Sequence, residues 1–309
     1  MKEYDVVIIG GGPAGLCAGL YSSRANLRTI LIEKGIPGGE LLNTDMIDNF
    51  PGFEEIKGRE LAERMKNHAL KFGLEIVQLE VTAIHPLEVI KKIETNEGEY
   101  KSKVVILATG GEPRKLLVPG EKEFAGKGVS YCAVCDGFFY RGKVISVVGG
   151  GNAAVEEGCF LTQFGTKVFI IHRRDKLRAD QIVQQRAFNN PKIEFIWDTV
   201  VEKITGSDFV EKLFLKNVIN GKLWEHPTDG IFIFVGFDPK TSVVKAELKK
   251  DDAGHIITND KMETGIPGFY AIGDVRSQLV RQVTNAVGDG TTAAVAAEKY
   301  IQNLVPLVS

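Results

Sequence analysis

The feature that most constrains this chain is a pattern that occurs twice. "YDVVIIGGGPAGLCAGLYSSRANLRTILIEKG" begins at Tyr4, and "GKVISVVGGGNAAVEEGCFLTQFGTKVFIIHRR" begins at Gly142. With Gly10 set on Gly149 the two match without gaps. Each copy runs from a short β-branched stretch into three glycines, a helix rich in small residues, and a second β-branched stretch. That order predicts strand, tight turn, helix and parallel strand.

The glycines determine what such a turn can hold. Gly10 and Gly149 permit the tight turn, Gly12 and Gly151 let the backbone approach a pyrophosphate, and Gly15 and Ala154 let the helix pack on the strand. The phosphates then lie at a helix N-terminus, where unpaired N–H groups and the dipole favour negative charge. Each copy therefore predicts a dinucleotide-binding domain. The expected fold class is α/β, with two Rossmann-like domains and the second inserted in the first. The boundaries expected are 1–114 with 245–309 for the first domain and 115–244 for the second. Both crossings, "GEPRKLLVPGE" and "GFDPKTSVV", carry the Gly and Pro of exposed linkers.

The copies differ at their ribose ends. The second strand of the first copy ends in Glu33, 23 residues after Gly10. A carboxylate there accepts hydrogen bonds from ribose hydroxyls. The matching residue of the second copy is His172, followed by Arg173, Arg174, Lys176 and Arg178. Arginines hold a 2′-phosphate that a carboxylate would repel. The first copy thus suits an unphosphorylated adenosine, as in FAD or NAD, and the second suits NADP. "VVILATGGEPR" and the C-terminal "GFYAIGDVRSQLVRQ" also fit a flavoprotein. In the latter, Asp274 is placed to hold a ribityl hydroxyl. The helix after Arg281 and Gln282 is placed to face a flavin ring that becomes negative on reduction.

Bulk properties exclude several classes. A formal net charge of −2 argues against nucleic acid as a partner. The opening "MKEYDVVIIGGG" has too short an apolar run for a signal peptide or a membrane span. Of four cysteines, Cys132 and Cys135 form a close pair in "SYCAVCDGFFY", with Asp136 directly behind. Cys17 and Cys159 lie singly on predicted helices and are expected in the core, and the five histidines show no ligand spacing, so zinc is not expected. A structural disulfide across two residues would add little stability, because so short a loop has little entropy to lose. Beside two nucleotide turns, the pair reads as a redox dithiol/disulfide, with Asp136 as the acid/base that thiol exchange needs.

On these motifs the chain resembles the bacterial-type, low-molecular-weight thioredoxin reductases over essentially its full length. The motifs are "GGGPAG", "GGELLNT…NFPG", "ATGGEPR", "CAVCDG", "GGGNAAVEE", "HRRDKLR" and "GFYAIGDV…RQ". The resemblance implies FAD in the first domain, NADPH in the second, a homodimer, and thioredoxin or a thioredoxin-like protein as partner. Four cysteines with one close pair, too few for a disulfide scaffold, lead to the expectation of a cytoplasmic protein. The resemblance places FAD on Gly10, Gly12, Pro13, Ala14, Gly15, Glu33 and Lys34. It adds Gly38, Gly39, Glu40, Leu41, Asn49, Val81, Ala108, Thr109 and Gly110, and from the C-terminal segment Gly273, Asp274, Arg281, Gln282 and Val283. It places NADPH on Gly149, Gly151, Asn152, Ala153, Ala154, His172, Arg173, Arg174 and Arg178. It makes Cys135 the flavin-proximal thiol and Asp136 its proton partner. Glu40 departs from the glutamine usual in this family. Glutathione-reductase-like relatives carry CxxxxC in the FAD domain, which "EKGIPGGELLNT" lacks. Ferredoxin–NADP reductases of this fold lack the CxxC, and ferredoxin-dependent relatives lack the arginine cluster. The peroxide-reductase flavoprotein has an extra N-terminal thioredoxin-like region, which is not expected here.

The function expected is NADPH-dependent reduction of a thioredoxin disulfide by way of FAD and Cys132–Cys135. One alternative of another class is a non-catalytic NAD(P)-sensing flavoprotein whose CxxC is a switch. The CxxC ends 14 residues before Gly149 and so belongs to the second domain. Nicotinamide and disulfide must both reach the flavin, and the disulfide must leave it to meet a protein. The sequence therefore leads to an expectation of two alternating domain states, hinged near 111–120 and 236–241.

Overall fold

In the computed structural model, which describes residues 2–44 and 46–304, the chain divides into two compact units. One is Met1–Glu112 with Asp238–Ser309, and the other is Pro113–Phe237. The return crossing thus falls at Asp238 and not at 245. The residues after it are held by the first unit: Ile84 donates its N–H to the Val243 carbonyl and accepts from Lys245, both at 2.8 Å. The crossing segments themselves, Gly111–Pro113 and Phe237–Pro239, pair as a two-stranded ribbon.

The first unit is built on β1 (Lys2–Ile9), β2 (Thr29–Glu33), β3 (Glu75–Gln78), β4 (Val81–His85), β5 (Lys91–Thr95) and β6 (Gly98–Leu107). Their order is β3-β2-β1-β6-β5-β4. The first four in that order are parallel, and β6-β5-β4 is an antiparallel meander. A late strand, Phe269–Ala271, runs parallel to the C-terminal half of β6. The run Val6–Ile9 is buried on both faces, as a covered parallel strand requires. Val6 and Ile8 pack with Leu16 of helix α1 (Pro13–Arg24), with Ala69 of helix α2 (Gly58–Lys71) and with Ala293 and Ala297 of the C-terminal helix, Val283–Leu304. Val7 and Ile9 point the other way, to Ile30, Ile32 and Phe269. Each such side chain contributes about 1.5–3 kcal/mol.

The second unit repeats the plan. Its strands are β7 (Val129–Ser130), β8 (Val144–Gly149), β9 (Lys167–Ile171), β10 (Ile193–Ile196), β11 (Thr199–Gly206), β12 (Val210–Asn217), β13 (Leu223–Pro227) and β14 (Gly230–Phe234). A parallel sheet has the order β7-β14-β8-β9-β10, and β11-β12-β13 form an antiparallel sheet. Val147 and Ile170 pack with Ala154 and Leu161 of helix α4 (Asn152–Leu161); Val148, Ile171 and Ile233 pack against Leu213 and Leu215. The short helix α3 (Ala133–Asp136) and helix α5 (Gln181–Phe188) complete the unit. Among the described residues no helix is long and apolar enough to cross a membrane.

Candidate active site

In the first unit the glycine turn closes tightly. Gly10 has φ +106°, and a Cβ on it would come within 2.3 Å of the Ala108 carbonyl oxygen. A Cβ on Gly15 would lie 2.0 Å from the Gly10 oxygen, so only hydrogen fits between helix and turn. Helix α1 starts at Pro13 with Gly12 as N-cap and no side-chain cap, which leaves its first N–H groups open toward an anion. The Gly38–Gly39 loop lies against this turn, since a Cβ on Gly39 would be 2.9 Å from Gly12 Cα. These are the features of a pyrophosphate cradle, and the residues present fit a dinucleotide.

Glu33 braces that cradle. Its Oε2 accepts the Gly11 N–H at 2.7 Å and its Oε1 accepts the Gly35 N–H at 2.9 Å. Leu41 is 2 % exposed and belongs to a small core with Ile47, Ile56, Leu61 and Ala62, so its side chain is structural. Val81 is half-buried on β4, and Ala108 is buried where β6 ends against the turn. Thr109 donates its hydroxyl to the Lys240 carbonyl at 2.7 Å, and Lys240 returns its N–H to Gly110 at 3.0 Å. Asn49 donates to Gln282 at 3.2 Å, which joins two candidate flavin residues far apart in sequence. The Glu40 side chain keeps contact with solvent, yet the protein crowded around it pushes its carboxyl up; Asn43 and Lys240 pull it down. Burial likewise raises Asp274, opposed by Arg281.

The Gly273–Asp274 turn has a support that the sequence did not disclose. Asp289, buried in the C-terminal helix, accepts the Gly273 N–H at 3.0 Å and the Arg276 guanidinium at 3.2 Å on both oxygens. Arg281 reaches His255 Nε2 at 3.0 Å, and His255 Nδ1 stands 3.4 Å from Asp251. Val283 begins the C-terminal helix directly after Gln282.

In the second unit Gly149 has φ +151°, Gly151 is the N-cap of α4, and again no side chain caps the helix. Asn152 and Asp180 bond reciprocally: Asn152 Nδ2 donates to Asp180 at 2.8 Å and Asn152 Oδ1 accepts its N–H at 2.7 Å. Arg178 donates its N–H to the Gly150 carbonyl at 2.6 Å. The arginine loop is thereby fastened to the glycine turn. Arg173, Arg174 and Arg178 are exposed, and none of their guanidinium groups pairs with a carboxylate among the described residues. His172 is different. It is 5 % exposed, and a Cβ on Gly150 would strike its ring at 2.3 Å. Burial, then the three arginines, push its pKa down. Ala153 is exposed beside Asn152, and Ala154 is wholly buried.

The cysteine pair opens α3. Cys132 is the N-cap, Cys132 and Cys135 are joined as a disulfide, and the Cys135 N–H lies 3.1 Å from Cys132 Sγ. Asp136 closes the helix and accepts the Ser130 hydroxyl at 2.6 Å. Phe138 and Phe139, just beyond, are exposed. Tyr131, just before, donates to the buried Glu121 at 2.7 Å; Glu121 also accepts the Leu116 and Leu117 N–H groups at 2.9 and 2.6 Å. Of the other cysteines, Cys17 is buried as expected, whereas Cys159 is only half-buried. Burial pushes the Cys159 thiol up to about 11.

The description "Pyridine nucleotide-disulphide oxidoreductase" belongs to the family whose pattern matches residues 4–290. A thioredoxin reductase of Bacillus subtilis (strain 168) is 47% identical over 304 residues, covering 98% of this chain and 96% of the relative. The solved thioredoxin reductase of Lactococcus lactis is 49% identical with a TM-score of 0.95, covering 97% of this chain and 99% of its own. That of T. acidophilum is 34% identical with a TM-score of 0.93, covering 99% of this chain and 100% of its own.

Proposed function

The chain belongs to the pyridine nucleotide-disulphide oxidoreductase family, and on that premise we propose that it reduces the disulfide of thioredoxin, or of a thioredoxin-like small protein, at the expense of NADPH. The observation that carries this reading is the Cys132–Cys135 disulfide at the head of α3, in the same unit as a glycine turn fastened to unpaired arginines.

When bound, NADPH supplies a hydride and FAD turns it into a two-electron reductant for a disulfide. This chain's residues hold and orient. Gly10, Gly12 and the open start of α1 would receive the FAD pyrophosphate; Glu33 braces that turn and would meet the adenosine ribose. Asp274 holds a ribityl hydroxyl on a turn supported by Asp289. Gly149, Gly151 and the start of α4 receive the second pyrophosphate, and Arg173, Arg174 and Arg178 take the 2′-phosphate. His172, buried under Gly150, shapes the turn. Asp136 moves a proton at Cys135 Sγ, and Cys132 with Cys135 exchanges with the partner's disulfide. The family resemblance also supports a homodimer in the cytoplasm.

The test is a turnover assay with NADPH and a panel of small disulfide proteins, run beside NADPH-dependent reduction of ferricyanide. Cys132→Ser with Cys135→Ser is expected to abolish the first activity and spare the second. A yellow protein that is reduced once by NADPH and then stops would instead establish a sensor.

A further inference from the structure

The stretch ahead of the cysteines carries a polar group that the mechanism has not yet used. Ser130 ends β7, the edge strand held on β14 by the pair Ser130–Phe232, and it is 3 % exposed. Its hydroxyl oxygen accepts the Cys132 N–H at 3.1 Å. That bond occupies the oxygen on the cysteine side and turns the hydroxyl hydrogen away from it. The hydrogen has two acceptors in reach: Asp136 Oδ2 at 2.6 Å and the Cys132 carbonyl at 3.3 Å. The carboxylate is nearer, and a bond to an ionised acceptor is roughly twice as strong as one to a neutral acceptor. One buried serine therefore grips the backbone of the first cysteine and the carboxylate behind the second.

We propose that Ser130 is the positioning residue for Asp136: it holds the carboxylate oriented for proton transfer at Cys135. This inference rests on the reading of Asp136 as the proton-carrying group. α3 is only four residues long, so the helix alone does little to confine an aspartate at its end. Opening the Cys132–Cys135 bond takes two electrons, which come from NADPH, and two protons to leave two thiols. One of those protons passes from solvent through Asp136 to Cys135 Sγ. Proton transfer requires the acid within hydrogen-bond reach of the sulfur, and a misplaced acid lowers the rate without weakening substrate binding. The fixed frame for this is the β7–β14 pairing, which anchors Ser130 on the sheet.

The experiment is a double-mutant cycle on the FAD-loaded protein with Ser130→Ala, Asp136→Asn and the combination. Thioredoxin kcat and KM are measured beside ferricyanide reduction. Ser130→Ala is expected to lower thioredoxin kcat roughly ten-fold or more, the usual scale for losing a hydrogen bond to a charged group, with KM and ferricyanide reduction unchanged. Added to Asp136→Asn it is expected to change kcat by less than about two-fold, because the interaction is already gone. An unchanged kcat in Ser130→Ala overturns the proposal. So does an equal loss in both backgrounds, or a parallel loss of ferricyanide reduction. Failure of the underlying reading has its own signature, an unchanged kcat in Asp136→Asn alone.

Discussion

Gly11 donates its backbone N–H to the Glu33 carboxylate at 2.7 Å. The corresponding position in the second unit is His172, whose ring packs on Gly150. In both units the residue at the end of the second strand, Glu33 as its last residue and His172 just beyond it, supports the middle glycine of the turn, in one case by a hydrogen bond and in the other by packing. Glu33→Ala removes the acceptor for two N–H groups, Gly11 and Gly35. The expected cost is about 1–3 kcal/mol, together with loss of bound flavin. Flavin absorbance per protein after purification checks it; full flavin content would show that Glu33 is dispensable to the cradle.

The arginine loop should set the choice of cofactor. Each charge-assisted contact to a phosphate is worth about 1.5–3 kcal/mol. Arg173→Ala with Arg178→Ala should raise the KM for NADPH by one to several orders of magnitude and leave that for NADH nearly unchanged. Steady-state kinetics with both nucleotides decide it. A wild-type preference for NADH would refute the assignment.

Acid should weaken the second unit through two buried histidines. Burial lowers the pKa of His172, with the nearby arginines adding to it, and burial lowers that of His226 against an opposing pull from Glu194. Their folded values lie below the unfolded value of about 6.5. The unfolded chain therefore binds more protons as pH falls. The stability is fully present above about 6.5 and is lost as pH drops through that value toward the folded pKa. Asp251, in the first unit and held down to about 2 by a hydrogen bond from Ser277, acts in a separate and lower window. Denaturant melts between pH 8 and pH 5 should show the loss, and His226→Gln should flatten the slope. A flat profile over that range would contradict the burial of these rings.

Turnover should need motion at the crossings. A reversible crosslink placed between the two units is expected to stop multiple turnover with thioredoxin, and its release should restore it. Full turnover in a verified crosslinked protein would eliminate the two-state scheme.

What the sequence by itself determined is local. Tight glycine turns, alternating strand faces and uncapped helix starts follow from φ requirements and periodicity within some thirty residues, and the same pattern twice leads directly to two dinucleotide units. The arginine loop and the CxxC were equally legible, because their meaning lies in their distance from a glycine turn. Other features came from tertiary structure alone. The Asp289 support for Gly273 joins residues 16 apart, the Asn152–Asp180 clasp joins residues 28 apart, and the Asn49–Gln282 contact spans 233. None of these pairs has a period or a motif. Ser130 lay in plain view beside the cysteines, but nothing local aims its hydroxyl at Asp136 rather than at water. The seven residues from Asp238 to 244 likewise join the first unit through tertiary contacts, Lys240 with Thr109 and Gly110 and Val243 with Ile84. A hydrogen bond depends on placement to within a few tenths of an ångström. That placement is decided by how distant segments pack, not by the residues on either side.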